Sequence, residues 1–144
     1  AGKCMSAMDY HYETVGRVLA HLVNVGLKRI DFEPSDAMDI MTERRGDEEE
    51  VIETFADVVK WMHDEGLIRI HAIQEFDGGF AFSGVQLSAK GIAVVQAKPN
   101  DAALGESIEK RVSAEGGGLD ASVYTKIGAF VGGLIGGVSQ SLGG

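Results

Sequence analysis

Apolar positions between residues 9 and 25 recur at helical spacing. Val15, Val18, Leu19, Leu22 and Val23 fall on one face, and Gly26 stands where such a helix would stop. Residues 27–32 read as a short extended link. Pro34 or Ser35 then opens a second helix through Met38, Ile40 and Met41, with Gly46 as its end. A third helix begins with four acids, Asp47, Glu48, Glu49 and Glu50, where the macrodipole favours them. Val51, Phe55, Val58, Val59 and Met62 give it an apolar stripe, and Gly66 ends it. The period then changes to two. Ile68, Ile70 and Ala72 alternate with Arg69 and His71, Asp77-Gly78-Gly79 signals a turn, and Phe80, Phe82, Val85 and Leu87 form a returning strand. Gly84 marks a bulge or bend within that strand. Ser88 caps a fourth helix over residues 89–97, before Pro99.

The remainder is predicted to be less regular. Residues 98–118 read as a connector with a short helix at 107–113 and a flexible joint at Gly116, Gly117 and Gly118. Residues 119–144 read as a glycine-zipper helix, predicted over 120–142. Gly128, Gly132 and Gly136 recur at four-residue spacing, and Gly133 and Gly137 repeat that step one residue on. At about 100° per residue, Ile127, Phe130, Val131, Leu134, Ile135, Val138 and Leu142 gather on one half of the helix and the glycines on the other. Each interior glycine costs about 0.8–1 kcal/mol against alanine, so five cost on the order of 4–5 kcal/mol. Close backbone approach to another helix is the usual compensation. The bulky half is expected to enter a core and the smooth half to meet another backbone.

Helix, short strand, helix, helix, hairpin, helix is the element order of a winged-helix domain. The stretch Trp61-Met-His-Asp-Glu-Gly-Leu-Ile-Arg-Ile70 resembles that family's third helix running into its wing. Gly84-Val-Gln-Leu-Ser-Ala-Lys-Gly-Ile92 is similar to the wing returning into a last helix, and both phrases resemble those seen in many bacterial winged-helix proteins. The resemblance covers residues 9–97 and implies an α+β, mostly helical fold with a β-hairpin wing. The expected core is Val18, Leu22, Ile40, Val51, Phe55, Val59, Met62, Ile68, Ile70, Phe82, Leu87, Ile92 and Val95.

Winged-helix domains commonly bind DNA through the third helix. Here residues 47–65 hold eight carboxylates against Lys60 alone, net −7, and such a helix is repelled by phosphate. Base-contacting residues are therefore not carried over. Lys28, Arg29, Arg44, Arg45 and Arg69 are the candidates for a basic edge. The whole chain has a formal charge of −9, which disfavours nucleic acid and anionic lipid alike.

Candidate chemistry is sparse. Glu49, Glu53 and Asp57 share one helix face and could hold a hard cation, but no second ligand set accompanies them, and a solvated face accounts for them. His11, His21, His63 and His71 form no metal-ligand pattern. No phosphate loop and no G-x-S-x-G elbow is present; Ser139 lacks the final glycine. The expectation is a protein without catalytic residues, cofactor or metal. Cys4 is the single cysteine, which rules out an intrachain disulfide and points to a reducing, cytoplasmic setting. It lies in residues 1–8, read as a lead ahead of a start at Met5 or Met8, with no secretory signal pattern.

The expected function is protein interaction and homo-oligomerisation, with Gly128, Gly132, Gly133, Gly136, Gly137, Phe130, Leu134 and Ile135 at the oligomer interface. A DNA-binding regulator and a membrane-associating effector are the alternatives. The strongly apolar part of the tail, residues 127–138, is shorter than the ~20 residues needed to span a bilayer.

Overall fold

The computed structural model describes residues 7–41, 46–115 and 118–143. Among them the chain is α+β and mostly helical, with one small antiparallel sheet. Helix α1 (Ala7–Val25) is followed by β1 (Ile30–Phe32), α2 (Pro34–Ile40) and α3 (Glu48–Asp64). Then come β2 (Ile68–Arg69), β3 (Ala72–Phe76), β4 (Gly79–Leu87), α4 (Ala89–Gln96), a 3₁₀ turn (Ala102–Leu104), α5 (Ile108–Glu115) and α6 (Ala121–Gly143).

Local chemistry sets these bounds. Asp47 caps α3 by accepting from the Glu50 N–H at 2.8 Å, and Ser88 caps α4 by accepting from the Gly91 N–H at 3.0 Å. Glu33 and Asp36 form a capping box around Pro34. Gly26 and Gly66 take positive φ just past α1 and α3, where a side chain would be strained.

The sheet is organised by β4. On one side it pairs with β1, Ile30 opposite Val85 and Phe32 opposite Phe82. On the other side it pairs with β2 and β3, Ile68 opposite Leu87 and Ala72 opposite Ser83. Both of the latter pairings have one register, so β2 and β3 are a single strand interrupted at Ile70 and His71. The expected alternating strand from Ile68 thus exists with a break. Gly84 lies opposite the break with φ +65°, and the β1 register slips by one residue across it, which makes it the bulge. Its N–H donates to Asp31 Oδ1 at 3.1 Å, tying the bulge to β1.

The core lies between the sheet and the helices. Phe32, Phe55, Phe80 and Phe82 form a continuous aromatic chain, with successive ring centroids at 5.3, 5.9 and 4.7 Å. Val18, Leu22, Val51, Phe55, Val59, Met62, Ile68, Phe82, Leu87 and Val95 are buried as expected, whereas Ile40, Ile70 and Ile92 are only partly buried. The connector over 98–118 differs from expectation. Leu104 and Ile108 are fully buried and Val112 nearly so, so this segment belongs to the core and does not act as a spacer. Arg111 holds it further, its Nε donating to the Ala103 carbonyl at 3.0 Å.

Candidate interaction site

Helix α6 lies along α1. A Cβ at Gly128 would overlap the backbone carbonyl of Tyr12, and a Cβ at Gly16 would overlap that of Tyr124. The two contacts are reciprocal. As α1 advances from Tyr12 to Gly16, α6 retreats from Gly128 to Tyr124, so the helices are antiparallel and interlock at two notches. Only glycine permits such backbone contact. Gly132 lies next, with its Cβ position 3.2 Å from the Tyr12 ring. On the bulky side, Ile127 and Val131 are completely buried, and Phe130, Leu134 and Ile135 are partly buried against the core.

Tyr124 also packs beneath Arg17, whose guanidinium carbon is 4.5 Å from the ring centroid. Arg17 Nε donates to Glu13 Oε2 at 2.8 Å within the same buried layer. The Tyr124 hydroxyl accepts from the Leu119 N–H at 3.1 Å and anchors the start of α6.

The glycine face therefore meets a backbone closely, but the backbone is that of its own chain. Gly116 and Gly117 of the expected flexible joint lie outside the described residues, and α6, which follows them, packs on α1. Gly133 faces the other way, exposed, with nothing within 4 Å of its Cβ position. Gly136 and Gly137 lie on the helical backbone, and their surroundings fall outside the described residues. Gly16, the partner of the tail glycines, went unrecognised in the sequence. Its signal was a single glycine in the middle of an otherwise regular helix.

The basic candidates are partly gathered. Lys28, Arg29 and Arg69 are exposed. The Arg29 Nε lies 3.6 Å from the Cβ position of Gly84. Arg69 pairs with Gln86, whose side-chain amide donates to the Leu27 carbonyl at 2.7 Å. These three thus share the end of the sheet where β2 begins. Arg44 and Arg45 lie outside the described residues.

Glu49, Glu53 and Asp57 are exposed on α3. Among the described residues no group of three His, Cys, Asp or Glu side chains could hold a metal ion. His21 is half-buried against Phe32, with ring centroids 5.8 Å apart. Burial pushes its pKa below the usual histidine value, partly offset by the charge of Asp36. His63 stands 3.6 Å from the carboxylate of its neighbour Asp64.

Among the described residues no helix is long and apolar enough to cross a membrane. Comparison with protein families, with curated proteins and with solved structures finds no match for this chain.

Proposed function

We propose that the protein is a non-catalytic, winged-helix-like interaction module of the cytoplasm that self-assembles through the outward side of α6. The element order and the hairpin built on β4 support the winged-helix reading. The acids exposed along α3 argue against a DNA-reading role for that helix.

One observation carries the self-assembly. After α1 has taken up Gly128 and Gly132, α6 still presents Ala129 and Gly133 outward, the latter over open space. By the antiparallel register, Gly133 stands opposite Ala7, the first residue of α1, and residues 134–143 continue as helix past that point. A glycine-rich helix of this kind is marginal in water without a packing partner. A second copy of α6, approaching over Ala129 and Gly133, supplies one.

Multi-angle light scattering tests this. The parent protein is expected to run above the monomer mass. Gly133→Leu, whose Cβ has nothing within 4 Å among the described residues, is expected to return it to monomer with unchanged circular dichroism. A monomeric parent, or an unchanged mass for the variant, refutes the proposal.

A further inference from the structure

A second surface lies between α3 and the β3–β4 hairpin. The outward side of α3 and the tip of the β3–β4 hairpin enclose a cleft of about 550 Å³. Ile52 contributes apolar surface to it, above the buried Phe80 ring. Phe76, at the hairpin tip, lies over Gly79 on one side and is 58% exposed, beside the partly buried Ile52. Carboxylates stand on both rims: Glu48, Glu49, Glu53 and Asp57 from α3, and Glu75 and Asp77 from the hairpin.

Lys60 shows what these rims hold. Its ammonium donates to Glu75 Oε2 at 2.7 Å and lies 3.8 Å from Asp57 Oδ1, joining helix to hairpin at one end. Glu49, Glu53 and Asp77 have no ion pair among the described residues. The six rim carboxylates less Lys60 leave a local charge of −5. Charge complementarity excludes phosphate-bearing partners and selects cationic ones. The apolar surface between the rims selects further. A small polyamine would satisfy the acids and leave Phe76 bare, whereas a polypeptide carrying a large apolar side chain between Arg or Lys residues covers both.

We propose that the groove between α3 and the β3–β4 hairpin docks a basic segment of a partner protein, with an apolar anchor set against Phe76 and Ile52. This rests on the reading of the chain as an interaction module, but it shares no residue with α6.

The test titrates the full chain against a labelled peptide, Gly-Arg-Arg-Leu-Arg-Arg-Gly, by fluorescence anisotropy at low and physiological salt. Binding is expected to weaken about tenfold when leucine is replaced by glycine in the peptide. The same loss is expected for Phe76→Ser and for the pair Glu49→Lys and Glu53→Lys, with Glu49→Gln and Glu53→Gln as the milder pair should the lysine variant fail to fold. Overturning results are no binding by the parent, full affinity in either variant, or indifference to the peptide's leucine. Displacement of the peptide by spermine at equal charge also overturns it, because the face then binds cations without a groove. A fall in oligomer mass in the lysine variant would assign the groove to a second copy and likewise overturn it. Light scattering on Gly133→Leu reports self-assembly and the titration reports the groove, so either can fail alone.

Discussion

Replacing Gly128 by alanine puts two effects in opposition. Helix propensity alone favours the change by about 0.8–1 kcal/mol. The new methyl would, however, stand on the Tyr12 carbonyl, which is backbone and cannot rotate away. The helices must part. Tyr124, Ile127 and Val131 are at most 9% exposed in this contact, and burying such side chains is worth about 1.5–3 kcal/mol each. A gap of about 0.5–1 Å forfeits roughly a quarter to a half of their dispersion contacts. The loss is therefore about 1–4 kcal/mol, in line with measured overpacking, and after the propensity gain the net effect is destabilisation by up to about 3 kcal/mol. At this chain length the melting temperature should fall by up to roughly 10 °C. Gly16→Ala should do the same from the other helix, since it meets the Tyr124 carbonyl. The double variant should cost less than the sum, because one separation relieves both clashes. Thermal unfolding followed by circular dichroism decides the matter. If Gly128→Ala raises the melting temperature, as it would in a free helix, the interlocked packing of α1 and α6 is wrong.

Two further outcomes follow from the described contacts. His21 has a folded-state pKa below its unfolded value near 6.5, so the unfolded chain binds the proton more readily; stability should be full above that pH and decline as the pH falls through it towards the folded value. Chemical denaturation across this range should show the decline in the parent and lose it in His21→Gln. Ser88→Ala removes both the acceptor for the Gly91 N–H and the donor to the Gly66 carbonyl, and should cost about 1–2 kcal/mol in urea unfolding without changing the slope.

Most of the elements could be read from the order of the residues because their causes are local. The spacing of Val51, Phe55, Val59 and Met62 makes α3 amphipathic whatever surrounds it, and Asp47 caps it from three residues away. The bulge at Gly84 was legible for the same reason, since only glycine takes its φ comfortably. The partner of the glycine helix was not legible. Glycines at four-residue spacing state that a backbone will come close, but the information that it is α1 resides in Gly16, at the far end of the sequence. Lys98 to Gly118 looked polar and glycine-rich on average, yet Leu104, Ile108 and Val112 bury a full share of apolar surface. The groove by the hairpin was missed because its rims come from separate elements. Glu49 and Glu53 read as a solvated helix face until Glu75 and Asp77 stand across from them.

The pairing of α1 with α6 also sets an order of events. Contacts within α3 and the hairpin close short loops, whereas the Gly16 and Gly128 notches join remote segments and must close a long one. During synthesis α1 is made early, and the side that receives α6 stays bare until Ile127 and Val131 exist to cover it. Chaperone engagement and aggregation are most favoured in that interval. After folding, release of α6 is an opening smaller than global unfolding, and its amides should exchange with solvent ahead of those in α3 and β4. Helix α6 thus arrives after the body it covers and leaves before it, and the lifetime of the docked state governs how long the apolar side of α1 stays hidden.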